Sequence, residues 1–145
     1  MPRRRSTSPG EVFLSHATGD RSVATRIATV LRAHGVPVWY SATDILGAQR
    51  WHDEIGGALA RCAWFAVLLS PHAVRSRWVK HEVLYAVNQS RFDNRILPLL
   101  LKPCDADLLS WILPSYQWVD FTGSFDEGCR KLLQVWDRGF TGRRA

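Results

Sequence analysis

The residues with the clearest chemical potential are a tryptophan and a glutamate four positions apart, Trp78 and Glu82. Residues at this spacing share one face of an α-helix, so the indole and the carboxylate can flank the same bound group. The spacing also fits a second interpretation, in which the tryptophan lies along a sheet and the glutamate is solvated. The position of the pair in the fold therefore decides between the two interpretations.

Short apolar runs alternate with amphipathic segments along the whole chain, a pattern typical of an α/β fold with a mostly parallel sheet. Five strands are predicted, at residues 11–15, 36–40, 63–69, 95–101 and 117–121. A long loop is expected over 41–50, and a short helix or irregular segment over 105–113. Apolar stripes at helical spacing predict four helices, marked by Val23, Ile27, Val30 and Leu31; by Trp51, Ile55, Ala58 and Leu59; by Val79, Val83, Ala86 and Val87 within 78–88; and by Phe125, Cys129, Leu132, Leu133 and Trp136.

This order of elements favours a flavodoxin-like three-layer sandwich, a five-stranded parallel sheet in the order 2-1-3-4-5 with helices on both faces. Ligands of such sheets bind beyond the carboxyl ends of the strands, where the strand order reverses. Here that point lies between the first and third strands. The loops 15–20 and 70–77 and the start of the helix that carries Glu82 are expected to converge there.

The charge of the chain does not support a nucleic-acid partner for the folded part. The 145 residues carry a net charge of +6, and 46% of them are hydrophobic, enough for one globular domain. Without the five terminal arginines the net charge falls to +1, and no basic helix face remains; these arginines are Arg3, Arg4, Arg5, Arg143 and Arg144.

The missing motifs and the short apolar runs also disfavour several kinds of binding site and several cellular locations. The apolar runs are far shorter than the roughly 18 residues that cross a bilayer, and the basic N-terminus lacks the apolar stretch of a signal peptide. Three widely spaced cysteines indicate neither a disulfide framework nor a zinc site, and no metal site is predicted. The Gly-rich nucleotide-binding, GxSxG and HExxH motifs do not occur. A cytoplasmic setting fits best.

Five short stretches in a fixed order resemble the bacterial form of the Toll/interleukin-1 receptor (TIR) domain family, over Glu11 to about Trp136. They are Val12-Phe-Leu-Ser-His16 with Asp20; Val38-Trp-Tyr-Ser41 leading to Asp44-Ile45 and Trp51; Leu69-Ser-Pro71; Ser76-Arg-Trp78 with Glu82; and Ile96-Leu-Pro98. The resemblance implies a TIR domain over 11–138, flanked by a disordered basic tail at 1–10 and a short basic tail at 139–145.

The resemblance also implies an activity, because many TIR domains cleave NAD at the nicotinamide glycosidic bond with a glutamate in a WxxxE motif. Glu82 occupies that position and is the expected catalytic residue, with Trp78 stacking on the substrate. Asp44 and Trp51 match a family loop that contributes to substrate binding or to contacts between protomers. Ser15 and His16 are candidates for hydrogen bonds to a ribose or phosphate, or else form a loop-capping pair.

One carboxylate is chemically sufficient for this reaction. Glycoside hydrolysis ordinarily needs a second carboxyl group to protonate the leaving oxygen. Nicotinamide leaves a cationic pyridinium as a neutral molecule, so no general acid is required. A single carboxylate that stabilises the oxocarbenium-like transition state then suffices, with NAD as substrate and no cofactor.

Three functions stay open from sequence. The first is an NAD hydrolase, or a cyclase that makes a cyclic ADP-ribose-type signal; either would act in bacterial antiphage signalling. The second is a non-enzymatic TIR scaffold for homotypic assembly, and the third is an enzyme similar to nucleoside deoxyribosyltransferases. The expected partners are NAD, other TIR domains and a separate sensor or effector protein, with neither nucleic acid nor a membrane.

Overall fold

A five-stranded, fully parallel sheet forms the middle layer of the protein. The computed structural model describes residues 9–40 and 48–142. The strands are β1 (Val12–Ser15), β2 (Val38–Trp39), β3 (Trp64–Leu69), β4 (Ile96–Leu100) and β5 (Val119–Asp120). They pair in the order β2-β1-β3-β4-β5, which confirms the predicted topology and places the switch point between β1 and β3.

Within the described part of the chain, four α-helices cover the two faces of this sheet. They are α1 (Arg21–Ala33), α2 (Ala48–Arg61), α3 (Arg77–Val87) and α4 (Phe125–Gln134). The cluster beneath α1 and α4 includes Ile27 and Leu132, and the cluster beneath α2 and α3 includes Ala58 and Val83. The predicted three-layer arrangement is therefore confirmed, because each helix buries its apolar stripe against the apolar strands.

Several predicted boundaries were wrong. The long loop predicted over 41–50 is too long, because α2 already begins at Ala48. The last helix ends at Gln134, so Trp136 lies beyond it and packs edge-on against Trp64 with 5.5 Å between ring centroids. By contrast, the segment 105–113 is irregular, one of the two forms predicted for it, with 3-10 turns at Ala106–Leu108 and Leu113–Ser115. The outer strands β2 and β5 pair over only two residues each.

Gly35 lies just after the end of α1. Gly35 has a φ of 84°, a conformation that glycine adopts without the steric cost of a Cβ atom. The Val36 N–H then donates to the Leu31 carbonyl at 2.9 Å, which closes the helix end. The C-terminal segment returns to the same place, where the Thr141 N–H donates to His34 Nε2 at 3.2 Å.

Arg91 joins the end of α2 to the turn before β4. Its guanidinium donates to the Cys62 carbonyl at 2.6 Å and also to the Leu59 carbonyl. Carbonyl groups in the last turn of a helix have no N–H donor within the helix. Arg91 therefore donates hydrogen bonds to carbonyl groups that would otherwise need water.

We expect Arg91→Ala to lower the free energy of unfolding by about 1 kcal/mol, measured by urea denaturation. The matched control is Arg130→Ala, which removes a surface ion pair with Glu127 and should have a smaller effect. Equal losses in the two variants would contradict a special role for Arg91.

Two further features bear on the sequence predictions. Cys62, Cys104 and Cys129 are all free thiols. No helix within residues 9–40 and 48–142 combines the length and apolar character that a membrane crossing requires.

Candidate active site

Glu82 is a buried acidic residue on the side of α3 that faces the sheet. The helix begins after Ser76, whose Oγ accepts a hydrogen bond from the Val79 N–H at 3.2 Å. This N-cap fixes the helix start, and Val79 and Val83 then pack into the core. Glu82 projects from the same side and keeps only 7% of its surface exposed.

A hydrogen bond from the end of β1 reaches this carboxylate. Ser15 Oγ donates to Glu82 Oε1 at 2.6 Å, although the two residues are 67 positions apart. Ser15 is itself 1% exposed and pairs with Val67 of the neighbouring strand β3. The end of β1 and the helix after β3 therefore meet at the switch point, as predicted. The alternative interpretation, with a solvated glutamate, is wrong.

The environment of Glu82 changes its acidity. Burial raises its pKa to about 7, and the hydrogen bond from Ser15 opposes this rise. Burial raises the pKa because the charged form loses its hydration, whereas a donor to the carboxylate stabilises the charged form. Near neutral pH the group is therefore present in both ionisation states, and a small change in its surroundings shifts the balance.

A second serine–carboxylate pair crosses the same edge of the sheet. Ser70, directly after β3, donates from Oγ to Asp20 Oδ2 at 2.5 Å, and Asp20 lies in the turn after β1. The Ala73 N–H donates to the same Ser70 Oγ at 3.1 Å. The two pairs are reciprocal, since each joins the end of one central strand to the segment that follows the other.

The model of the TIR domain family matches residues 12–133, from the first residue of β1 to the last turn of α4. The chain belongs to the TIR domain family. The resemblance inferred from five short stretches is thereby confirmed.

Curated relatives and a solved structure agree with this assignment. An NAD(+) hydrolase, PdTIR of Paracoccus denitrificans, is 28% identical over 109 residues, which cover 73% of this chain and 36% of that protein. A 2′ cyclic ADP-D-ribose synthase, BtTIR of Bacteroides thetaiotaomicron, is 28% identical over 78 residues, covering 53% of this chain and 27% of that protein. The chain thus spans about a third of the length of these relatives.

The fold is also that of a solved TIR domain, from the Toll-related receptor TRR-2 of Hydra magnipapillata. The TM-score is 0.69 with 17% identity, covering 86% of this chain and 96% of that one. At this level of identity the likeness concerns the fold.

Trp78 and His16 are the other predicted site residues of this TIR domain with described side chains. Trp78 lies in the first turn of α3, is 37% exposed, and meets His81 edge-on with 5.8 Å between ring centroids. His16 follows Ser15 and lies 5.8 Å from the Tyr40 ring. Burial lowers the pKa of His16, so its imidazole is neutral at neutral pH. Within the described residues, His16 Nδ1 is buried without a hydrogen-bond partner.

The remaining two predicted residues lie where the structure gives no side-chain geometry. Asp44 is outside the described residues, and Trp51 lies in α2 with its side chain outside the described part. Their expected roles in substrate binding or protomer contacts stay predictions.

Asp20 and Ser70 are the residues whose pairing the sequence reasoning missed. Asp20 was part of the first stretch that resembles the family, but without a role of its own. The available signal was positional, since Ser70 directly follows β3 and Asp20 lies in the turn after β1. Within residues 9–40 and 48–142, no group of three or more His, Cys, Asp or Glu side chains is arranged to hold a metal ion.

Proposed function

We propose that this TIR domain cleaves the bond between nicotinamide and ribose in NAD, with Glu82 as the catalytic carboxylate. The observation that supports the proposal most strongly is the buried Ser15–Glu82 hydrogen bond at the switch point of the sheet. Burying a carboxylate away from water lowers the stability of the folded protein. A carboxylate that stays buried at the ligand-binding edge of the sheet despite this cost therefore favours a catalytic role. Two relatives, an NAD(+) hydrolase and a 2′ cyclic ADP-D-ribose synthase, support the same chemistry.

The proposed reaction is a substitution at the ribose carbon that carries nicotinamide. The glycosidic bond breaks, its electron pair moves to the pyridinium nitrogen, and nicotinamide leaves as a neutral molecule. Glu82 in its ionised form stabilises the positive charge that develops on the ribose. Water then adds to the same carbon and loses its proton to solvent, which gives ADP-ribose.

Trp78 is proposed to position the substrate in the same site. Its indole is partly exposed one helical turn before Glu82, so a flat cationic ring can stack against it. A neutral, half-buried His16, directly after Ser15, supplies a polar contact for a ribose or phosphate. Asp44 and Trp51 stay candidates for the remaining contacts.

Cyclisation is a branch of the same reaction. If an internal nucleophile of the ADP-ribose fragment replaces water at the ribose carbon, the product is a cyclic ADP-ribose-type signal. Both outcomes share the first bond-breaking step and its dependence on Glu82. The ratio of ADP-ribose to cyclic product, measured by chromatography of a completed reaction, separates hydrolysis from cyclisation.

A substrate panel tests the proposal against its enzymatic alternative. NAD and free nucleosides are incubated separately with the purified protein, and the released base is measured by chromatography. The proposal expects nicotinamide from NAD and no base from the nucleosides. Release of base from free nucleosides alone would favour the transferase-like alternative and overturn the proposal.

Self-association is proposed as part of this function, with other copies of this TIR domain as partners. We expect the rate per molecule of protein to rise with protein concentration, because assembly follows mass action. The measurement is nicotinamide release over about a hundredfold range of concentration. A total rate that is strictly proportional to concentration throughout would contradict this prediction.

We also propose a cytoplasmic role in antiphage signalling, triggered by a separate sensor or effector protein.

A further inference from the structure

We infer that Ser15 is a positioning residue that holds the Glu82 carboxylate in place and stabilises its charge. The inference rests on the proposed function and deepens it, since it assigns Ser15 a role different from the direct substrate contact expected from sequence. The position and contacts of Ser15 at the end of β1 support this role.

The surroundings of Ser15 hold its hydroxyl in the hydrogen bond to Glu82. It has a single hydrogen, and the 2.6 Å bond to Oε1 uses it. The residue is 1% exposed, and its strand pairs with β3 at Val67, so the backbone cannot move toward a ligand without breaking the sheet. Ser15 therefore cannot donate to a substrate while it donates to Glu82.

Among the residues that the structure describes, no charged neighbour of Glu82 takes over this role. The strands against which α3 packs, β1 and β3, consist of the residues VFLS and WFAVLL and carry no titratable side chain. The two 3-10 turns that also contact α3 carry Arg75 and Arg91, and Arg91 is bonded to carbonyls at the end of α2. Other titratable groups lie on α3 itself: Arg77, Lys80, His81 and Tyr85. Within residues 9–40 and 48–142, burial and the hydrogen bond from Ser15 are the influences on the pKa of Glu82.

The reciprocal pair, Ser70 and Asp20, provides a matched control within the same edge of the sheet. Ser70 is also 1% exposed, and its hydroxyl also donates to a buried carboxylate. Removing it takes away a hydrogen bond of the same kind without touching Glu82. A purely structural role for Ser15 would make the two serine variants behave alike.

The experiment compares Ser15→Ala, Ser15→Cys and Ser70→Ala with the wild-type protein. The cysteine variant nearly keeps the volume of the side chain but offers only a weak donor, which guards against an alanine variant that fails to fold. The first readout is the titration of the Glu82 carboxyl carbon by NMR, which does not depend on activity. The second is the pH profile of kcat/KM for nicotinamide release.

Both Ser15 variants are expected to titrate Glu82 at a higher pH than the wild type, with kcat/KM about tenfold lower near neutral pH and recovering at alkaline pH. Ser70→Ala is expected to leave the titration midpoint of Glu82 unchanged. An unchanged midpoint in the Ser15 variants, or an equal shift in Ser70→Ala, would overturn the inference. Because the NMR midpoint is independent of turnover, the inference survives if NAD proves not to be the substrate, and it fails separately if Glu82-dependent activity is found without the shift.

Discussion

Glu82→Gln is expected to reduce nicotinamide release from NAD by at least about a hundredfold. The amide has nearly the shape of the carboxylate, and its oxygen can still accept the hydrogen bond from Ser15. It carries no negative charge at any pH, so it cannot stabilise the charge that develops on the ribose. The measurement is the initial rate of nicotinamide release at saturating NAD. A variant that keeps most of the wild-type rate would contradict the assignment of Glu82.

The same substitution is expected to stabilise the folded protein at alkaline pH. The folded-state pKa of Glu82 is about 7, above the ordinary value of 4.5 for the unfolded chain. The folded state therefore binds its proton more tightly, and stability is lost as pH rises from about 4.5 through about 7. The loss amounts to about 3 kcal/mol when complete, and glutamine does not incur it.

Urea denaturation at two pH values measures this effect. At about pH 8 we expect Glu82→Gln to be more stable than the wild type, and at about pH 4 the difference should nearly vanish. Glu127→Gln serves as a control, because Glu127 is an exposed carboxylate on the surface of α4. A stability difference for Glu82→Gln that is the same at both pH values would show that burial of the charge is not its cause.

The rate of nicotinamide release by the wild-type protein is expected to depend strongly on pH, and this is the second large effect. Only the ionised carboxylate stabilises the transition state, so the rate should rise about tenfold per pH unit below the pKa and level off above about 7. His16 should add no step in this upper range, because burial lowers its pKa. The measurement is the pH profile of kcat/KM for nicotinamide release.

One form of the pH profile of kcat/KM would contradict this prediction. A rate that stays constant between about pH 5 and 8, with the protein folded throughout, would mean that Glu82 does not act as a charged group. A circular dichroism spectrum at each pH confirms the fold. These two predictions together describe a balance in which the charge that serves the reaction destabilises the protein.

Much of the fold could be predicted because its causes are local or topological. The apolar run of β3 indicates a central strand whatever surrounds it, and the alternation of strands and helices leaves few ways to connect a parallel sheet. Gly35 ends α1 for a reason visible in the sequence, its tolerance of positive φ. The convergence of β1 and α3 at the switch point followed from the strand order.

The rest depends on side-chain geometry that a one-dimensional pattern does not contain. Trp78 and Glu82 share a spacing, yet Glu82 is buried while Trp78 is partly exposed. The burial of Glu82 became evident only from its contact with Ser15, 67 positions away. The Ser70–Asp20 pair depends likewise on the path of two loops, and the early start of α2 at Ala48 was obscured by the polar residues of its first turn.

We propose above that this TIR domain breaks the nicotinamide–ribose bond of NAD through Glu82. The most direct test incubates concentrated wild-type protein and Glu82→Gln with NAD at about pH 8, where Glu82 is ionised. Nicotinamide formed and NAD lost are quantified over time. We expect one nicotinamide for each NAD lost with the wild type and almost none with the variant. Equal release by both proteins, or none by either, would contradict it.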